Sequence, residues 1–168
     1  MAKRRVEIGD VAEIKTKKGL AYALYTHYDE QWGAVIRVFE NTFLARPGDF
    51  QDVVNGPVQF TTFFPLRAAI SRKIFEVVAH VEIPGPLRMF PMFLSPGMPD
   101  SKTGKISRWG LWNGKERTTI YALTPEMRSF PKMSIINDTR LIEQVESGWH
   151  EEDEPADFMP LPNLTKKA

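Results

Sequence analysis

The sequence predicts an α+β fold, mainly antiparallel β: a strongly bent sheet or small barrel, with one or two short helices near the C-terminus. Three observations lead there. Residues 11–40 hold short alternating apolar and polar stretches separated by tight turns. An Asn113-Gly114 pair sits between two more such stretches. The last part, from Thr124 to Trp149, carries helix-capping signals instead.

The first strand is expected over Val11–Thr16, with Ala12 and Ile14 opposed to Glu13 and Lys15. Lys17-Lys18-Gly19 turns the chain, with Gly19 free to take positive φ. Leu20–Tyr28 follows, with Leu20, Tyr22, Leu24 and Tyr28 on one face and Ala21, Ala23, Tyr25 and His27 on the other. Its Ala and Leu content also allows a helix, but the flanking turns and aromatic residues favour a strand. "DEQWG" turns again, and Ala34–Glu40 alternates as a third strand. A helical turn from Asp49, a strand in "PVQFTTFF" stopped by Pro65, helical turns in "LRAAISRK" and a strand in "IFEVVAHVEI" come next.

From Pro84 to Lys105 the chain is rich in Pro and Gly, with "MFPMF" as an apolar anchor. Asn113-Gly114 favours a two-residue type I′ turn, pairing Trp112 with Lys115, Leu111 with Glu116 and Trp109 with Thr118. Alternation then puts Trp109, Leu111, Thr118, Ile120 and Ala122 on a core face. Arg108, Trp112, Lys115, Arg117 and Tyr121 share the other face. Thr124 caps a short helix that starts at Pro125 and ends before Pro131, and "SII" offers a short strand. Asp138 caps "TRLIEQVESGW", with Leu141, Ile142 and Val145 on one side and Gly148 as the stop.

The expected organisation is a single domain over residues 1–150 and an acidic, Pro-containing C-terminal tail over 151–168. A net charge of +1 argues against nucleic acid or a membrane surface as partner. With no cysteine, disulfides, thiol nucleophiles and Cys-ligated metals are excluded. No apolar h-region opens the chain, and no apolar run approaches the roughly 18 residues of a membrane span. A cytoplasmic location is the expectation.

Conventional catalytic signals are missing. His27, His80 and His150 show no paired metal-binding spacing, and neither a phosphate loop nor a nucleophile elbow is present. A metal site would have to be assembled from distant residues such as His27, His80 and a carboxylate. Asp10 reads as a turn residue bonding nearby amides, with a reactive carboxylate as the sharper reading. "NDT" at residues 137–139 reads as helix capping. No catalytic residue, cofactor or metal is therefore assigned. Arg108, Trp112, Lys115, Arg117 and Tyr121 are the candidate partner-binding residues. A cation–aromatic face of this kind either stacks internally or forms an interface hot spot.

"IGDVAEIKTKKGLAYALY", "FFPLRAAI", "WGLWNGKE" and "LTPEMRSFP…IINDTRLIEQVESGW" together resemble the immunity protein 26 family over most of residues 7–150. The resemblance implies an α+β fold and a small bacterial protein that binds a cognate toxin domain and neutralises it. Gly9, Asp10, Gly19, Trp112 and Gly114 carry over as fold markers. Some proteins of this type are also labelled small phosphotriesterases. The expected function is therefore a non-enzymatic, immunity-type binding protein. The alternative is a small hydrolase acting on phosphate esters, with His27, His80, Asp10 or Asp29 as its groups.

Overall fold

Tight turns join the first three strands into a meander, β1 (Asp10–Thr16), β2 (Gly19–Asp29) and β3 (Gly33–Phe39). The structure, a computed structural model, describes residues 4–154. A short helix α1 (Phe50–Val54) follows, its first turn capped by the Asp49 carboxylate, which accepts from the Gln51 amide at 2.9 Å. Then come β4 (Val58–Phe64), α2 (Leu66–Ser71) and β5 (Glu76–His80). These five strands form one antiparallel sheet in the order β4-β3-β2-β1-β5.

The outer strands β4 and β5 pair with β3 and β1 and not with each other, so the sheet is open and the barrel form is not realised. The pairing shifts register at Val11/Ala12, Tyr25/His27 and Val38/Phe39, the irregularities that bend and twist strands. Both sheet faces are buried in place of closure. One carries Ala12, Ile14, Ala21, Ala23, Tyr25, Ile36 and Phe64. The helix α3 (Asp138–Ser147) covers it with Leu141 and Val145. The other carries Val11, Tyr22, Leu24 and Phe39 under α1. Apolar residues on both faces explain why β2 allows a helical reading by composition alone.

The bulge in β2 changes one expectation. Tyr25 pairs with Ile36, but His27 pairs with Val35, leaving Thr26 as the extra residue. Beyond it the alternation reverses: Tyr28 joins the face of Tyr25, and His27 joins that of Leu24.

The chain divides into two compact units. The first runs to Phe90 and includes Ser134–Trp149, and so holds the five-stranded sheet with all three helices. Pro91–Met133 and, of the described residues after α3, His150–Glu154 form the second. It contains a three-stranded antiparallel sheet of β6 (Phe93–Pro96), β7 (Trp109–Trp112) and β8 (Arg117–Ile120), in that order. Its core gathers Leu94, Ile106 and Trp109, with Leu111, Ile120, Leu123 and Phe130 against them. The strand β6 lies inside the Pro/Gly-rich section, where the sequence predicts no strand. Gly97 and Arg108 hold its far end through a backbone bond of 2.8 Å.

The hairpin register also differs from expectation. Trp112 pairs with Arg117 and Trp109 with Ile120, so the loop is four residues, 113–116. Asn113 Oδ1 accepts from the amides of Lys115 and Glu116 at 2.9 and 2.8 Å. This side-chain turn replaces the two-residue loop. The shift is by an even number of residues, so each side chain keeps its predicted face. Trp109 is buried, Leu111 and Ile120 are half-buried, and Thr118 and Ala122 are exposed.

The region after Thr124 forms a 3-10 turn, Glu126–Ser129, and then α3. Asn137, not Asp138, is the cap of α3, accepting from the Arg140 amide at 2.8 Å. "SII" contributes a single bridge from Ile135 to Phe63. Of the expected tail, Glu151–Asp153 forms a 3-10 turn, and residues 155–168 lie outside the described residues. Among the described residues no helix is long and apolar enough to cross a membrane.

Candidate functional site

The Gly9-Asp10 corner opens β1. Asp10 is 1% exposed, and both of its carboxylate oxygens are engaged. Oδ1 accepts from Arg4 Nη2 at 2.7 Å and from His80 Nδ1 at 2.9 Å, and Oδ2 accepts from the Glu7 amide at 3.0 Å. Asp10 thus bonds a nearby amide, as a turn residue should, and also ties the N-terminal segment to β5. Gly9 has φ 102°, and a Cβ there would stand 2.7 Å from His80 Cε1. Only glycine lets the histidine close over Asp10 at this point. At Gly19, φ is 123° and a Cβ would meet the Phe43 carbonyl at 2.6 Å, while Gly114 sits in the hairpin loop at φ 94°.

Ligand atoms of Glu7, Asp10 and His80 lie within 4.8 Å of one another, the spacing of a metal-binding cluster. A cation would have to displace Arg4 from Asp10 Oδ1 to enter. The other histidine and carboxylate candidates are elsewhere. His27 contacts Thr26 Oγ1 at 2.9 Å and the Arg88 carbonyl at 2.8 Å, and burial lowers its pKa. Asp29 accepts from the amides of Gln31 and Trp32 at 3.0 and 2.8 Å, which makes it a turn residue.

A groove runs from this corner along the first unit. A cavity of about 480 Å³ is lined by Arg4, Arg5, Asp10, Lys73, Phe75 and Glu76, among others. Arg5 and Val6 also line a second cavity of about 450 Å³ with Tyr25, Tyr28 and Arg67. These last three line a third, about 330 Å³, which reaches Trp32 and Ile135. Three separate chain segments therefore build one concave strip: the N-terminal arm, the β2–β3 turn and α2 with its end.

The strip interleaves aromatic rings and cations. Tyr28 is 53% exposed, and the Arg67 guanidinium stands 6.0 Å from its ring centroid. Tyr25 lies buried beneath, its pKa raised by burial above all. The Trp32 ring is anchored 5.6 Å from Phe63. Ile8 and Ile135 add exposed apolar surface. Tyr, Trp and Arg are the side chains enriched at binding hot spots. The β2 bulge is what turns Tyr28 into this strip.

The hairpin face belongs to the second unit. The strands set Trp112 beside Arg117. The Trp112 ring packs 6.1 Å from buried Phe93, and Arg117 lies along Gly110 with Nη2 3.4 Å from Met133 Sδ. Arg108 and Tyr121 follow at the next position of the register, with Tyr121 73% exposed, and Lys115 sits in the loop. Trp112 and Arg117 therefore spend part of their surface on packing, while Arg108, Lys115 and Tyr121 remain exposed.

Sequence reasoning misses the groove. Alternation alone sets Tyr28 on the opposite face, because a bulge leaves no mark in it. Arg5 lies far in sequence from Arg67 and Lys73, and only the pairing of β1 with β5 and the return of α2 bring them together. No known protein family, curated protein or solved structure matches the chain.

Proposed function

We propose that the chain is a non-enzymatic binding protein of the immunity type, which neutralises a partner protein domain by covering it. The observation that carries this reading is the groove, where Tyr28 of β2, Trp32 of the β2–β3 turn and Arg67 of α2 form a cation–aromatic surface. Such rings supply large contact area with few rotatable bonds, which keeps the entropic cost of binding low. The resemblance to the immunity protein 26 family supplies the class of partner: a cognate toxin domain. The expected hairpin residues Arg108, Trp112, Lys115, Arg117 and Tyr121 offer further aromatic and cationic side chains for the same kind of contact. A tagged chain tests the reading. It should retain a protein whose expression alone arrests growth, and co-expression should relieve the arrest. No retained protein, or no relief, rules the reading out.

One observation favours a second reading, a small phosphate-ester hydrolase. Glu7, Asp10 and His80 converge beside a cationic cavity, and a metal held there would polarise a phosphoryl oxygen. The bonds already made by Asp10 weigh against it. Metal analysis with a chromogenic phosphotriester assay decides: bound metal and turnover lost in His80→Ala would establish it, and neither would remove it.

A further inference from the structure

We infer that the groove receives an acidic segment of the partner, with carboxylates toward Arg5, Lys73 and Arg67 and an aromatic or aliphatic side chain against Tyr28 and Trp32. This rests on the reading of the groove as a protein-binding site. Charge carries the inference. The acids along the strip are already matched: Asp10 by Arg4 at 2.7 Å, Glu7 by Arg4 at 3.5 Å and Glu76 by Arg46 at 3.4 Å. Arg5, Arg67 and Lys73 have no carboxylate within ion-pair distance among the described residues. The groove therefore offers three unmatched cations on a chain whose net charge is only +1.

Lys73 adds a second point. It follows the end of α2, and among the described residues it is the only non-glycine residue with positive φ, at 60°. The amides after α2 close onto it as a left-handed cap: Lys73 to the Ile70 carbonyl at 3.0 Å and Ile74 to the Ala69 carbonyl at 2.9 Å. Glycine would fill this position without strain. A lysine here instead lines the cavity that Arg5 also lines. A non-glycine residue held in this conformation motivates a functional reading of Lys73. The cations are spaced between apolar rings, which suits a peptide of alternating acidic and apolar side chains better than a continuous row of phosphates.

Peptide selection tests this. The full chain is immobilised and a random peptide library is selected on it, beside the Lys73→Gly variant and an Arg5→Gln/Arg67→Gln variant. Selected peptides should be rich in Asp and Glu with aromatic or aliphatic residues. They should bind each variant on the order of tenfold more weakly, and more weakly still as salt rises. Lys73→Gly removes the Cβ from a left-handed position, and an unlowered denaturation midpoint separates its loss of binding from misfolding.

Peptides without acidic enrichment, or equal binding to Lys73→Gly and the unaltered chain, overturn the inference. If those peptides are still lost from Tyr28→Ala/Trp32→Ala, the protein-binding reading survives. Peptides that bind that double variant unchanged remove both. A DNA duplex and vesicles of mixed zwitterionic and anionic lipid serve as further probes. Binding of either that depends on Lys73, with no acidic peptide selected, overturns the inference in favour of that partner.

Discussion

At Gly9 the backbone conformation and the space beside it make the same demand. With φ at 102° and His80 2.7 Å from any added Cβ, Gly9→Ala should cost about 2 kcal/mol or more in a denaturant titration. An unchanged midpoint would contradict the role given to the Gly9–Asp10 corner. Lys73 has the opposite sign. Lys73→Gly should stabilise the fold by about 1 kcal/mol, because a left-handed residue loses its Cβ clash. A lower midpoint would show that the lysine is there for stability.

Glu151 gives a dependence on pH. It is 8% exposed, with Lys132 Nζ at 3.4 Å, and burial raises its pKa from 4.5 to about 7. The folded chain thus holds this proton more tightly than the unfolded chain. Its contribution is most favourable below the unfolded value, shrinks as pH rises toward 7, and is a full penalty above, roughly 3 kcal/mol. Glu151→Gln should therefore raise the thermal midpoint near pH 8 and leave it unchanged near pH 4. A difference that is the same at both values would exclude a buried, proton-linked carboxylate. At this scale Asp10 was legible as a turn residue. Neither the strain at Lys73 nor the burial of Glu151 was, because both depend on residues distant in sequence.

Among the elements, α3 shows what local sequence can and cannot fix. Its span and its glycine stop follow from caps and periodicity, and Gly148 closes it at φ 68°. Its cap falls one residue early because Asn137 and Asp138 are both good capping residues. Asn137→Ala should cost about 1 kcal/mol. Leu141→Ala, which empties a fully buried position against β1, should cost about 3 kcal/mol. Denaturant midpoints that reverse this order would mean that capping, not packing, secures the helix. The β2 bulge and the four-residue hairpin loop were illegible for one shared reason. Register is a property of two strands, and one strand's alternation carries no record of its partner. The bulge had the larger consequence, since it turns Tyr28 into the groove.

For the molecule as a whole, the fold class was readable because strand alternation and capping are local. The candidate site was not, because it is assembled by topology. The arm at Arg5, the turn at Trp32 and the helix at Arg67 meet only after β1 pairs with both β2 and β5. β6 was hidden by Pro91 and Pro96, whose presence reads as loop although both sit at or beside the ends of a short outer strand. The Tyr28–Trp32–Arg67 groove is proposed to bind and neutralise a partner protein. The most direct measurement is capture from source cells by the tagged chain and by its Tyr28→Ala/Trp32→Ala variant, followed by growth on expressing the captured protein. One protein should be retained by the unaltered chain, lost from the variant, and toxic unless the unaltered chain is co-expressed. Equal retention by both chains, or a captured protein that leaves growth unaffected, would contradict it.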